Sequence, residues 1–411
     1  MGARTRGRRA DAGGATAGLT RRALLAKGAV AGAGAAAGAT APAWAAHTPA
    51  QPTPDRPPPA SGFVSYDEVR LAFRCHGMHL EALRLPITPL GQHYVLIHFD
   101  VPYFTDVSNY AVTIRGRVRN PMTVTLAQLK ARPTVSQPTV LECAGVGRSN
   151  AHPRAIYVPW FDEPMGVYEY TGTPLKPILE EAGLLDDAVE VVFSGFDEGV
   201  DLGVRHHFER ALPVKEAMAA GVILAWDANG QPLLPHHGFP LRLVVPTWYG
   251  MTSVKWLTSI TVIDHTFQGE EQKQVYRDTF SSSDSGRPIQ KKAVRSAMAP
   301  PGIPDAISRH RFVPRGTTVL EGKAWTGTGT IVRVEVSTDD RRTWHAATLQ
   351  PAVGPHAWTP WTFPWTVQRR GEYILSSRGF DSAGNVQPLR PFWNVQGMAQ
   401  NGVERVGVTV E

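Results

Sequence analysis

The sequence is short of most features that would settle its class at once. It has only two cysteines, Cys75 and Cys143, in 411 residues, too few for a disulfide framework. Beyond residue 45 no run approaches the roughly 18 consecutive apolar residues of a membrane span. No G-x-G-x-x-G follows a strand and there is no P-loop, which argues against a nicotinamide or nucleoside-triphosphate fold. Cys-x-x-Cys-His is absent as well, so no haem is expected in this chain. A one-sided charge is also missing once the formal +6 is located. Arg4, Arg6, Arg8, Arg9, Arg21, Arg22 and Lys27 precede residue 46 with only Asp11 against them, and they carry the whole surplus. The rest is balanced, so no nucleic-acid partner is expected.

What is present begins with an export signal. Thr20-Arg21-Arg22-Ala23-Leu24-Leu25 leads into a weakly apolar Ala/Gly run ending at Ala43-Trp44-Ala45. This has the form of a twin-arginine signal peptide over residues 1–45, cleaved near Ala45, and predicts a periplasmic or extracellular protein. Twin-arginine passengers fold before crossing the membrane, often around a cofactor, so a cofactor is expected. Residues 46–60 are proline-rich and read as an extended linker.

With 39 glycines and 34 prolines, the chain favours short elements joined by turns. Over residues 61–280 the pattern is mixed α+β. Strands are predicted over Tyr94 to Phe99, Tyr110 to Val118, Val189 to Ser194, Leu241 to Val245 and Val254 to Ile263. Helices are predicted over Leu126 to Ala131, capped by Thr125, then Leu175 to Ala182 and Val214 to Ala219. Residues 281–411 open with a Ser/Gly/Pro-rich linker and turn all-β, with strands predicted over Thr318 to Trp325, Thr330 to Ser337, Trp344 to Leu349, Trp361 to Val367 and Gly371 to Phe380. That spacing predicts an immunoglobulin-like sandwich.

Cys143 ends a β-rich run and enters the glycine-rich turn Cys143-Ala144-Gly145-Val146-Gly147-Arg148. A thiolate is a soft metal ligand, and an arginine five residues on favours anions beside it. His237-Gly238-Phe239-Pro240-Leu241-Arg242, Val254-Lys255-Trp256 and the His98 that closes Tyr94 to Phe99 add cationic donors at strand ends. Such donors suit a phosphate-bearing organic cofactor.

These motifs, in this order, resemble the sulfite oxidase family of molybdopterin enzymes, which includes assimilatory nitrate reductases. The family patterns Cys-Ala-Gly-Asn-x-Arg, His-Gly-x-Pro-x-Arg and Val-Lys-Trp correspond to the stretches at Cys143, His237 and Val254. The resemblance implies that Cys143 is the protein's ligand to molybdenum in a molybdenum-molybdopterin cofactor. It implies that His98, Arg148, Asp197, His237, Arg242 and Lys255 hold the pterin and its phosphate. It also implies that Tyr276 bonds the reacting oxygen and substrate, that Trp160 walls the substrate pocket, and that the C-terminal part makes a homodimer. The implied reaction is two-electron oxygen-atom transfer, oxidising sulfite or a related small anionic or sulfur-containing substrate and passing electrons to a separate acceptor such as a cytochrome. A sulfoxide or nitrate-type reductase and a non-catalytic surface binding protein are the rival readings.

Two positions depart from the family pattern. Leu96 stands where sulfite oxidases carry a substrate-contacting arginine, and Val146 stands in place of an asparagine. His76, His79, His93, His206 and His207 lie outside every motif and read as surface or loop histidines. Cys75 reads as a structural thiol, and the tryptophans of Trp358 to Trp365 as sandwich core or dimer interface.

Overall fold

The computed structural model describes residues 66–411 except Ser282. The expected export signal and proline-rich linker lie outside the described residues. The chain is mostly β. Its longest described helices, Tyr66–Phe73 and Leu175–Ala182, have eight residues each.

One five-stranded sheet runs in the order Met122–Thr125, Ala111–Gly116, Leu257–Ile263, Glu190–Asp201, Val204–Pro213. Ala111–Gly116 pairs parallel with Leu257–Ile263, and the other pairings are antiparallel. A second sheet is built on Val135–Glu142, Met165–Pro174 and Ile223–Ala228, with Arg242–Val244 added to the last of these. Strand alternation drives burial here: Val112 and Ile114 face inward from Ala111–Gly116 while their neighbours stay partly exposed. The short helix Leu126–Lys130 starts where expected, because Thr125 and Gln128 cap each other reciprocally. It and Leu175–Ala182 place Leu129, Ile178 and Leu179 in one core with Val112, Phe193 and Leu243.

Tyr94 to Phe99 does not form the expected strand. It alternates in burial, yet its described sheet pairing is one isolated bridge between Val95 and His76. Val95 and Ile97 pack on Trp256 instead, leaving Tyr94, Leu96 and His98 on the other side of an extended segment. Val254 to Trp256 likewise precedes the strand that begins at Leu257.

The C-terminal part contains a four-stranded and a six-stranded sheet, beginning with Arg295–Met298 and Ile303–Pro304 respectively. Leu320, Trp361, Trp365, Leu375 and Val408 pack into one apolar core between their strands. Trp361 and Trp358 are fully buried, the latter against Trp325, which fits the core reading of these tryptophans.

This second part braces the cysteine loop of the first. Arg295 pairs with Glu142 at 3.4 Å and with Asp162, and the Trp325 indole donates to Glu142 at 2.9 Å. Ala399 N donates to Ala144 O at 2.6 Å. Gly147 has φ +69, and a Cβ there would strike Gln400, so that close approach requires glycine.

Candidate functional site

Cys143 follows directly on the strand Val135–Glu142 and lines a cavity in the first part of the molecule. The extended segment supplies Tyr94, Leu96 and His98 to the wall. Asp197 arrives through a break in register between Glu190–Asp201 and Val204–Pro213, where Gly195, Phe196 and Asp197 bulge out of the ladder. His236 and His237 lie on the turn Pro235–His237, closed by Gly238 at φ 103. Arg242 and Lys255 complete the cationic side.

Local bonding sets these side chains. Arg242 donates to His237 O and Ser253 O, each at 3.0 Å, and lies 5.5 Å from the Tyr170 ring. Lys255 donates to Leu96 O at 3.0 Å and His236 O at 3.1 Å. Its ammonium lies 4.3 Å from the ring centre of Trp256. Trp256 holds an unusual left-handed backbone, φ 48, secured by its indole donating to Pro235 O at 2.9 Å. Strain of this kind persists where the surroundings over-determine it.

Burial dominates the electrostatics. It pushes the Cys143 thiol up to about 11, against the opposing pull of Arg148 and the Gly145 N–H. The protein alone therefore keeps this sulfur as a thiol, and a coordinating cation would deprotonate it. Burial also lowers His237, with His93, His236, Arg242 and Lys255 adding to the effect, so its imidazole is neutral at pH 7. Lys255 is pushed down and Asp197 up by burial, each partly restored by the other.

His237 Nε2 and Asp197 Oδ1 are buried with no hydrogen-bond partner among the described residues. Leaving a buried polar atom unmade costs roughly 1–3 kcal/mol. Two such atoms on one cavity, beside a buried thiol, an arginine and a lysine, fit a ligand carrying amide-like donors, phosphate and a soft metal. The residues present therefore suit a molybdenum-pterin group.

Of the residues singled out from sequence, Cys143, His98, Asp197, His237, Arg242 and Lys255 line this cavity. Tyr276 is buried one step behind it, its hydroxyl 2.6 Å from His98 Nε2. Trp160 packs with Cys143, Cys75 and Val158, and its indole nitrogen has no partner. Arg148 is not among the lining residues. It is buried with Nη1 on Val158 O at 2.8 Å and Nε on Gln396 O at 3.0 Å, and a Cβ on Gly145 would lie 2.6 Å from it. Its visible work is to clamp the loop after Cys143.

Sequence reasoning missed other residues. His93 is buried on the cavity wall, its ring 5.5 Å from that of His237 and 4.5 Å from that of Tyr168, so its reading as a surface or loop histidine is corrected. Phe208, Gly250, Met251 and Ser253 also line the cavity. Val146, the replacement of an asparagine, is wholly buried in the main core with Met398 and Tyr276, which gives the substitution an apolar packing role. Among the described residues no group of three or more His, Cys, Asp and Glu could hold a metal by itself.

Comparison with known proteins agrees with this geometry. Residues 98–271 match the oxidoreductase molybdopterin binding domain, and residues 287–411 match the Mo-co oxidoreductase dimerisation domain. The chain is 31% identical to the sulfite oxidase of Gallus gallus over 78% of its own length and 72% of that protein's. It is 32% identical to the mitochondrial sulfite oxidase of Drosophila melanogaster over 79% of its own length, but spans only 59% of that enzyme. The nitrate reductase [NADH] 2 of Phaseolus vulgaris is 28% identical over 79% of this chain and 39% of that protein. The solved structure of the sulfane dehydrogenase SoxCD from Paracoccus pantotrophus superposes with a TM-score of 0.69 and 25% identity, covering 86% of this chain and 93% of that one. The chain belongs to the sulfite oxidase family of molybdopterin-dependent oxidoreductases. Molybdenum-molybdopterin is the cofactor that this membership implies.

Proposed function

We propose that this protein oxidises sulfite or a related reduced-sulfur compound by two-electron oxygen-atom transfer, acting as a homodimer outside the cytoplasm and passing electrons to a separate acceptor such as a cytochrome. The observation that carries the reading is the convergence of Cys143, His98, Asp197, His237, Arg242 and Lys255 on one cavity containing unpartnered buried polar atoms. When bound, a molybdenum-pterin group would supply the two-electron oxygen-atom-transfer chemistry. This chain's share is ligation, orientation and proton handling. Cys143 would provide the thiolate, and Arg148 fixes its loop from behind. Asp197, His237, Arg242 and Lys255 would hold the pterin and its phosphate. Tyr276, oriented by His98, would direct its hydroxyl at the reacting oxygen, and Trp160 keeps the thiolate side dry. The twin-arginine signal supports export, and the two packed β-sheets support the immunoglobulin-like, dimer-forming reading of the C-terminal part.

Leu96 bears on the substrate. It lines the cavity with an aliphatic side chain, where a guanidinium would have gripped a free anion by charge-assisted bonds. This favours a sulfur substrate whose charge is reduced or held elsewhere, and it keeps a sulfoxide or nitrate-type reductase as the second reading. Holo-protein from a pterin-competent host tests both. Sulfite, thiosulfate and an organic persulfide should be assayed for reduction of the metal centre, against viologen-driven reduction of a sulfoxide and nitrate. Reduction of the centre by a sulfur donor is the expected result. Turnover only in the viologen assay would replace this reading with the reductase one.

A further inference from the structure

Two pairs of polar side chains lie between the cavity and the surface, Tyr276 with His98 and Glu271 with His206, tied together by the turn that carries Glu271 and Tyr276. The Tyr276 hydroxyl lies 2.6 Å from His98 Nε2, and the imidazole is stacked on Phe208 with ring centres 4.5 Å apart. Glu271 opens the π-helical turn Glu271–Val275, so Tyr276 N donates to Glu271 O at 3.1 Å. Such turns often sit at functional sites. The Glu271 carboxyl is 1% exposed, with Oε1 3.4 Å from His206 Nε2 and Oε2 without a hydrogen-bond partner among the described residues. Arg210, wholly buried, donates to Glu271 O at 2.7 Å and lies 5.2 Å from the Tyr276 ring centre, which locks the two ends of this turn together. His206 is the outer member, with a side chain 13% exposed.

We propose that Tyr276, His98, Glu271 and His206 form a proton path joining the cavity to the surface. This rests on the oxygen-atom-transfer reading. When water supplies the oxygen, sulfite gains one oxygen atom and two electrons pass to the acceptor, while the two protons of that water must leave the site. Each member of the line can both accept and release a proton at the atoms named. Burial pushes the Glu271 carboxyl up, but the His206 hydrogen bond, His98 and Arg210 outweigh it and hold the group below its ordinary range. The same bond raises His206, which Asp201 also faces; Glu270 lies beside it. The Glu271 carboxylate accepts directly from the His206 imidazole and feels the charge of His98, which couples the two pairs. Sequence reading placed His206 among the surface or loop histidines; it lies on the strand Val204–Pro213 and is largely buried.

The test uses the metal-loaded full chain with saturating sulfur donor and ferricyanide as acceptor. His206→Ala and Glu271→Gln are expected to lower kcat roughly tenfold or more, to leave KM and molybdenum content unchanged, and to raise the solvent deuterium isotope effect. Added imidazole should restore the His206→Ala rate with rising concentration while leaving wild type unchanged. In NMR titration, Glu271→Gln should drop the His206 pKa towards that of a free imidazole. Wild-type kcat and isotope effect in both variants would overturn the path, as would a loss in His206→Ala that imidazole fails to rescue with an unchanged isotope effect. A protein that runs only as a reductase overturns the sulfur-oxidation reading; the same variants and isotope effect are then read in viologen-driven turnover, where the path carries two protons inward and unchanged rates in both variants overturn it.

Discussion

Two buried aspartates, one in each part of the molecule, are opposite in almost every respect except burial. Asp381 is 4% exposed and Asp197 is 6% exposed. Asp381 accepts from Thr326, Thr328 and Asn385 side chains and from the backbone N–H groups of Ala383 and Asn385. Burial pushes its carboxyl up, but those donors outweigh it and hold it below the ordinary range. Asp197 has an oxygen with no hydrogen-bond partner among the described residues, and burial pushes its carboxyl up against the pull of Lys255. Asp381 is closed by donors of the loops around it, whereas Asp197 is left open beside the cavity. An open buried carboxylate persists where a ligand completes it.

The sharpest break in this comparison is made at the metal ligand. Cys143→Ser should remove molybdenum entirely, and activity should fall by more than the roughly 100-fold that loss of an outer-shell partner costs. Its melting temperature without cofactor should stay near that of cofactor-free wild type, because a serine fits the same space. Metal analysis and calorimetry together check this. In the C-terminal part the effect should invert. Leu375 is wholly buried in the apolar core, and Leu375→Ala should cost about 2–5 kcal/mol of stability while the folded fraction keeps its molybdenum. Denaturant unfolding with metal analysis of the folded fraction decides it.

The difference between the two parts also explains how much could be read from sequence. The cysteine loop, the His237 to Arg242 stretch and Lys255 were legible because a ligand-binding loop must present set residue types at set spacings. Helices starting at Leu126 and Leu175 were legible from local caps and periodicity. The strand Val135–Glu142 was legible only as a β-rich run ending at Cys143, without bounds, since Pro138 interrupts its pattern. Tyr94 to Phe99 misled because alternation reports two faces, not a hydrogen-bonded neighbour, and this segment packs on Trp256. His93, Glu271 and His206 have no local signal. Their roles arise only when Tyr168, His98 and Tyr276 are brought beside them by the fold.

A smaller loss is expected from Asp381→Asn, which keeps the shape but removes the charge that its donors surround. Hydrogen bonds to a charged group are worth roughly 1.5–3 kcal/mol, and a loss in that range is expected at pH 7. The folded carboxyl of Asp381 is lowered, so its stabilisation is present above the unfolded value of about 3.9 and disappears as pH falls through the folded one. Wild type and Asp381→Asn should therefore converge in stability at low pH. Chemical denaturation at several pH values checks the convergence.

The mildest effect, and the one that bears most directly on the comparison, is the pH slope of cofactor-free protein at Asp197. Its folded carboxyl is raised to about 6, so the folded state holds the proton more tightly than the unfolded chain. The stabilisation this provides is complete below the unfolded value of about 3.9 and is lost as pH rises through the folded one. Wild type should lose stability across that window, and Asp197→Asn, which has no proton to give up, should lose less. The slope at Asp197 is thus opposite in sign to that at Asp381. Filling the cavity with cofactor should flatten the wild-type slope, because donors from the ligand would then do for Asp197 what Thr326, Thr328 and Asn385 do for Asp381. A wild-type slope that is the same with and without cofactor would show that Asp197 is closed by the protein itself, and the contrast between the two aspartates would lose its functional meaning.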